Sequence, residues 1–299
     1  MDRMIIDAHC LAGQDYWLSK NKPELAHENY LTEYEQELKE QSTDYRSYIM
    51  PFPSSKDGSF SEENELILSL RKERNWVVPV LAYNYNSVDN IRNVALAMDK
   101  GLCKDIVIWP IVCGMDLDKL ACDPDFRFLL KTYSCRVTVH VGAGNEADIK
   151  RVNCLKHYLP EDAIRLAESF PQNIFNLSHL LRLSDKALRH AEQMDNIVID
   201  ISGISTHKRW YEMNKNVFPA YDAGELGEMD APEILRELMG RSRLRSKIVF
   251  GTQYPFGKWY NYGVSDEVKI VLDAGLSGED ADRLFYRNLK TIFEGRTND

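Results

Sequence analysis

Short apolar runs of strand length alternate with helix-period stretches along almost the whole chain, and this rhythm is the dominant signal. The first run, Met4-Ile-Ile-Asp-Ala-His-Cys-Leu-Ala12, breaks at Gly13. Runs at 47–52, 76–83, 105–110, 136–142, 173–179, 196–202 and 247–253 repeat the pattern. Pro79, inside the third run, argues against a central strand there. Helical periodicity covers 27–41, 61–74, 88–100, the stretch after Asp123-Pro124, 161–170, 184–194 and 231–243; two further helices, near 265–274 and 278–293, close the chain. Tyr30, Leu31, Tyr34 and Leu38 fall on one face of the first helix. Ser61, followed by acids and Asn64, predicts the cap of the second, and Gly101 stops the third.

Strict alternation of strand and helix predicts a parallel sheet. The count of eight strands selects a closed (β/α)8 TIM barrel over an open doubly wound sheet. No linker, low-complexity break or internal repeat divides the chain, so residues 1–299 read as one domain with long strand-to-helix loops.

Composition narrows the class. Hydrophobic content of 44% and charged content of 28% are those of a globular protein with a sizeable core. The net charge of −9 argues against nucleic acid and against an anionic membrane surface as partners. The longest apolar runs are strand-sized, so no membrane span is expected. Met1-Asp2-Arg3 leads straight into the first run without the features of a signal peptide, and a cytoplasmic location is expected. Six cysteines, at 10, 103, 113, 122, 135 and 154, form no CxxC and are expected as reduced thiols.

Active sites of such barrels lie at the C-terminal strand ends. His9, His140 and His179 end the first, fifth and sixth runs. One strand-end histidine is ordinarily a hydrogen-bonded core residue; three at equivalent ends converge on one pocket. His27, His157 and His190 fall on helices or connections and read as solvated. Alternation puts Asp7 on His9's face as an orienting partner and turns Cys10 toward the helices. Asp200 and Ser202 share a face at the end of the seventh run, where Asp200 transfers protons or orients a neighbour. Trp109 walls the pocket or fills core, and Gly142-Ala-Gly144 is a tight turn or an anion loop. Arg182 follows His179 closely. The segments Tyr16-Trp17-Lys20-Lys22, Lys208-Arg209-Trp210-Tyr211 and Lys258-Trp259-Tyr260 suit a planar carboxylate or, equally, the subunit interface of a homo-oligomer. Residues 211–230 are long enough for a lid.

Several motifs together resemble the amidohydrolase superfamily. They are Ile-Asp-Ala-His-x-x-x-Gly13, Thr-Val-His-Val-Gly142, Asn-Leu-Ser-His-Leu-Leu181, Asn-Ile-Val-Ile-Asp-Ile-Ser-Gly203, Ile-Val-Phe-Gly-Thr-Gln-Tyr-Pro-Phe256 and the closing Arg-Leu-Phe-Tyr-Arg-Asn288 segment. The chain is most similar to the amidohydrolase-related branch of carboxymuconate-semialdehyde-type decarboxylases and small-molecule hydrolases. The resemblance implies a metal held by HxH on strand one, a histidine on strand five and an aspartate on strand eight, with the strand-six histidine assisting. Position by position, His9 and His140 match ligands and His179 matches the assisting histidine. Leu11 replaces the second histidine of HxH, and Gln253 replaces the aspartate of Gly-Thr-Asp-Tyr-Pro.

Those two replacements leave two imidazoles and a neutral amide where a catalytic zinc needs three good ligands and an open position. The cofactor expectation is therefore one divalent metal, zinc by type, weakly held or absent. Two functions follow. One is a divergent lyase, decarboxylase or hydrolase acting on a small, carboxylated, cyclic substrate. In it His179 and Asp200 handle protons, and Gln253, Arg182 and Trp109 bind substrate. The other is a catalytically silent barrel serving as a binding or scaffold protein.

Overall fold

A computed structural model describes residues 3–13, 30–53, 55, 58–142, 159–217 and 223–294. Its strands are β1 (Ile5–Ala12), β2 (Tyr45–Pro51), β3 (Val77–Ala82), β4 (Asp105–Ile108), β5 (Arg136–Val139), β6 (Phe175–Leu177), β7 (Ile197–Asp200) and β8 (Ile248–Val249). They pair in sequence order, every pair parallel. The chain leaving β8 closes the ring against β1. Ala8 N–H donates to Phe250 O at 2.9 Å, Gln253 N–H to His9 O at 2.7 Å, and Leu11 N–H to Tyr254 O at 2.8 Å. This is the eight-stranded barrel that the alternation predicts, and closure leaves no open sheet edge.

Around it run α1 (Tyr30–Gln41), α2 (Ser61–Glu73), α3 (Val88–Asp99), α4 (Leu117–Cys122), α5 (Pro124–Tyr133), α6 (Pro160–Glu168), α7 (Asp185–Ala191), α8 (His207–Val217), α9 (Ala231–Gly240), α10 (Val264–Asp273), α11 (Gly278–Asp282) and α12 (Asn288–Glu294). The sequence pattern does not predict α4 and α8. One helix predicted over 278–293 is three pieces, with a π turn at Arg283–Arg287 between α11 and α12.

Local chemistry explains several ends. Asp123 accepts from Phe126 N–H at 2.8 Å, and Pro124 occupies the first turn of α5, where its missing N–H is not needed. Ser61 does not cap α2. Phe60 holds that position in a left-handed conformation, φ 53°, and makes no side-chain cap. Asn64 instead clamps α2 to β3: its Oδ1 accepts from Ala82 N–H at 2.8 Å and its Nδ2 donates to Ala82 O at 3.0 Å. Pro79 is tolerated within β3 because it is the last residue paired with β2, and pairing with β4 begins only at Val80.

The interior is layered. Ile6, Ala8, Ile174, Val198 and Val249 pack toward the strand starts. Leu11, Met50, Phe52, Val80, Val107 and Trp109 fill the β1–β4 side above them. The largest cluster lies between sheet and helices. No helix among the described residues is long and apolar enough to cross a membrane. Cys10, Cys103, Cys113, Cys122 and Cys135 are free thiols, and Cys154 lies outside the described residues.

Candidate active site

His9, His140 and His179 meet inside the barrel at the C-terminal strand ends. Their ring centroids are 6.4 Å (His9–His140), 5.1 Å (His9–His179) and 4.6 Å (His140–His179) apart. Trp109 lies 4.8 Å from the His140 ring and 6.3 Å from that of His9. All four are buried, and so is Arg182.

A bulge in β1 decides which side chains enter. Asp7 pairs with Ser47 and Cys10 with Ile49, so Ala8 and His9 together oppose Tyr48. Alternation fails at this point, and both Ala8 and His9 turn inward. Asp7 stays on the outer side, where it accepts from Tyr34 Oη–H at 2.6 Å, Thr252 Oγ1–H at 2.6 Å, Thr252 N–H at 3.1 Å and the backbone N–H of His9 at 2.9 Å. The expectation that Asp7 orients the His9 ring is therefore incorrect, because the extra residue separates their faces. Cys10 packs toward the helices as expected, and Leu11 faces inward in the cluster that holds Trp109.

Asp200, at the end of β7, orients the His9 ring instead. Its Oδ2 accepts from His9 Nδ1–H at 3.2 Å and from Asn176 Nδ2 at 2.9 Å. Its Oδ1 accepts from His179 N–H and Ser202 N–H, both at 3.1 Å, and from the Ser202 hydroxyl. Burial works against ionisation, but the attraction of the His9 ring and these hydrogen bonds outweigh it and hold the carboxyl at about 2. Asp200 is thus a buried carboxylate.

His179 Nδ1 lies 2.9 Å from Ser202 O and 2.8 Å from Ser202 Oγ. A carbonyl only accepts, so Nδ1 carries the hydrogen. Burial, and then the positive charge of Arg182, push the pKa of both His140 and His179 well below the ordinary imidazole value. Neutral His179 therefore presents a lone pair at Nε2. The Nε2 atoms of His9 and His179 and the indole Nε1 of Trp109 are buried without a hydrogen-bond partner among the described residues. Orphaned buried polar atoms are costly, which marks this as a place where ligand groups belong.

Arg182 reaches the histidines through unusual backbone. Residues His179, Leu180, Leu181, Arg182 and Leu183 have φ of 60°, 49°, 51°, 51° and 63°, a left-handed turn with no glycine. In a turn of about three residues per revolution, positions i and i+3 share a side, so His179 and Arg182 point the same way. Left-handed backbone costs about 1–2 kcal/mol per residue. Full burial of Leu180, Leu181 and Leu183 contributes roughly 2 kcal/mol each and offsets most of that strain. Arg182 Nε donates to Val141 O at 2.7 Å.

Gln253 has a left-handed backbone, φ 56°, and its N–H binds His9 O. Its Oε1 rests against Gly203, only 2.5 Å from where a Cβ would stand, so residue 203 must be glycine for the amide to lie there. Among the described residues of the aromatic and cationic segments, Trp259 packs against the cluster that holds Leu11 and Trp109, and Trp210 lies beside Arg182. Trp210 is buried, donates from Nε1 to Gly203 O at 3.1 Å, and carries Arg182 over its ring. Lys208 pairs with Asp230, Lys258 with Glu37, and Arg209 lies over Tyr260. The expected lid is helical through Val217 and has a 3-10 turn at Gly224–Gly227, while 218–222 lie outside the described residues. So do 16–22, His27, His157 and Gly144, and with them the readings made for those positions. His190 is partly exposed and pairs with Glu168 at 2.7 Å.

Sequence reasoning passed over Asn176, Ser178 and His207. Asn176 and Ser178 were readable by alternation, two and four residues after Ile174 in the run that contains β6. Ser178 Oγ lies 3.1 Å from His9 Nδ1. His207 had no readable signal, since it braces Ile204 O and Met229 O, each at 2.9 Å, across a long excursion.

The donor set does not fit a catalytic metal. His9 and His179 offer Nε2 lone pairs, but Leu11 offers nothing and the Gln253 amide is turned against Gly203. Among the described residues no three His, Cys, Asp or Glu side chains are placed to hold one ion.

No protein-family model matches the chain, and no curated protein matches its sequence. Solved structures match its fold. A probable 2-pyrone-4,6-dicarboxylic acid hydrolase from Acinetobacter baumannii, with citric acid bound, is 11% identical with a TM-score of 0.64, over 98% of this chain and 100% of that one. Amidohydrolase 2 from Bifidobacterium longum subsp. infantis is 15% identical with a TM-score of 0.58, over 98% and 99%. A 5-carboxyvanillate decarboxylase from Novosphingobium aromaticivorans, with manganese and 3-methoxy-4-hydroxy-5-nitrobenzoic acid bound, is 12% identical with a TM-score of 0.57, over 98% and 97%. At such identities the likeness is one of fold alone, the barrel that these structures share.

Proposed function

We propose that the chain is an amidohydrolase-fold enzyme, a lyase or hydrolase, acting on a small, carboxylated, cyclic substrate through its own acid–base groups. One observation carries this reading: two histidines with orphaned Nε2 atoms, one oriented by the Asp200 carboxylate, stand beside a buried Arg182. Arg182, with the Trp109 N–H, would hold the substrate carboxylate in a dry setting where charge-assisted bonds are strong. His179 Nε2 would accept a proton from the substrate and, in a decarboxylation, return it to the carbon that loses CO2. His9 would hydrogen-bond the substrate, and Asp200 would steady whichever ring becomes positive. The fold-related hydrolase and decarboxylase, each bound to a small carboxylic acid, add support by analogy.

A second reading, a silent barrel that only binds, is favoured by the complete burial of His9 and by Leu11 and Trp109 filling the β1–β4 side. The test is turnover of a panel of aromatic and lactone carboxylates, followed by CO2 release and ring absorbance. Assays would run with chelator and with added manganese or zinc. We expect chelator-resistant turnover that falls about 100-fold or more in His179→Gln and is lost in Arg182→Gln. No turnover under any condition would favour the silent barrel. Turnover that requires added metal and survives His179→Gln would overturn the acid–base reading.

A further inference from the structure

We infer that Ser202 is a positioning residue whose hydroxyl couples His179 to the Asp200 carboxylate, so that one anion serves both His9 and His179. The inference rests on the reading of His179 as the group that receives a proton during turnover. The direction of each hydrogen bond in the chain follows from the groups present. Asp200 Oδ1 faces the backbone N–H groups of His179 and Ser202, both at 3.1 Å, and Oδ2 faces Asn176 Nδ2 at 2.9 Å. A carboxyl surrounded by donors in this way is held as the ion and can only accept. The Ser202 hydroxyl beside Oδ1 must therefore donate to it. That leaves the Oγ lone pairs for His179 Nδ1–H, 2.8 Å away.

The same Nδ1–H also reaches Ser202 O, at 2.9 Å. The two acceptors do different things. The carbonyl is enough to keep the hydrogen on Nδ1 and the lone pair on Nε2. It has no link to a charge, whereas the hydroxyl is polarised by the carboxylate behind it, and hydrogen bonds in such a chain strengthen one another. When Nε2 takes a proton from the substrate, the positive charge of the ring is met through Oγ; the hydroxyl hydrogen stays on Oγ and no further proton moves. His9 reaches the other oxygen of the same carboxylate directly, Nδ1 to Oδ2 at 3.2 Å. Packing holds the arrangement. A Cβ on Gly251 would stand 3.2 Å from Ser202 Cβ and 3.3 Å from the Cβ atoms of Asp200 and His9, and all three residues are fully buried.

The first part of the test needs no substrate. The Nδ1–H resonances of His9 and His179 are recorded by nitrogen-edited NMR and assigned by their loss in His9→Gln and His179→Gln. We expect Asp200→Asn to move both resonances when Ser202 is present, and chiefly that of His9 when it is introduced into Ser202→Ala. A serine that only fills space would leave the response of His179 to Asp200→Asn the same in both backgrounds, and that result overturns the inference. In Ser202→Ala alone the His179 resonance should persist, because the carbonyl remains, but shift upfield. If Asp200→Asn does not fold, Ser202→Ala decides by itself, and an unmoved His179 resonance overturns the inference. The second part uses whichever carboxylate of the panel is turned over. Ser202→Ala should lower kcat about tenfold and leave KM within about twofold. Full kcat in Ser202→Ala beside an inactive His179→Gln would overturn the role of Ser202 and leave the acid–base reading standing. Undiminished turnover in His179→Gln would overturn the acid–base reading itself.

Discussion

Glu267 offers the sharpest test of the electrostatics in this barrel. It lies on α10, 2% exposed, and its Oε1 accepts a hydrogen bond from the Ser205 hydroxyl. Its Oε2 has no partner among the described residues. Burial, with added repulsion from Asp7 and Asp266, raises the carboxyl from 4.5 to about 8. At roughly 1.4 kcal/mol per unit, the shift is worth about 5 kcal/mol between the two protonation states. The sign is opposite to that of a salt-bridged carboxylate. Between pH 4.5 and about 8 the folded chain keeps a proton that the unfolded chain has released, so stability falls with rising pH, by about 1.4 kcal/mol per unit.

Glu267→Gln keeps the shape and the Ser205 bond and removes the titration. Near pH 5 the variant should match wild type to within about 1 kcal/mol, and near pH 7.5 it should be about 3–4 kcal/mol more stable. Urea unfolding at the two pH values measures this as a rise in midpoint at constant slope. Asp7, whose carboxyl burial also raises, is coupled to Glu267 only through their weak mutual repulsion, so most of its contribution is common to both proteins. Parallel stability–pH curves for the two proteins, or a variant less stable at both pH values, would refute the reasoning.

Asp200 gives the opposite limb. Held at about 2 against 3.8 when free, it supplies about 2–2.5 kcal/mol that is present above pH 4 and lost as pH falls through 2, which acid unfolding would show as a rising stability slope in that window. Asp200→Asn should cost about 3–5 kcal/mol in denaturant unfolding, because the amide turns a donor toward N–H and O–H groups that need an acceptor. Gly203→Ala combines a left-handed φ of 72° with a Cβ at 2.5 Å from Gln253 Oε1. It should lower stability by about 1–2 kcal/mol and displace the Gln253 amide, seen as a changed side-chain amide resonance.

The barrel was legible because its signal is local and repeated: each apolar run declares a strand, and alternation with helices leaves few ways to assemble them. The three histidines were legible for the same reason, since a closed barrel converges its strand ends whatever the details. The errors arose where the answer depended on another strand or a distant loop. Asp7 and His9 look like face-sharing neighbours until β1 is set in register against β2 and the bulge appears. Ser61 has the chemistry of a cap, but the chain enters α2 through Phe60 while Asn64 serves β3. Nothing in His179-Leu-Leu-Arg-Leu183 announces left-handed backbone, because glycine, its usual sign, is missing; the burial of three leucines makes it tolerable.

Leu11 and Gln253 stand where the resemblance would place two metal ligands, and the sequence alone could not say how the remaining histidines would be held. The structure answers through Asp200. An ionised carboxylate with both oxygens fully engaged, buried at the end of β7, holds the His9 ring by Nδ1 and the loop carrying His179 by its backbone N–H. None of these contacts passes through position 11 or through the side chain of Gln253. Orientation of the imidazoles is thus physically separate from the positions that the metal pattern lacks. Both rings keep a buried Nε2 without a hydrogen-bond partner among the described residues, the atoms that the proposed acid–base chemistry would use. Replacing such a nitrogen with an apolar group removes the cost of the orphaned Nε2 but also the Nδ1–H bond to Ser202 O, so His179→Leu should change stability little in urea unfolding, while turnover, if His179 carries the acid–base chemistry, should be lost.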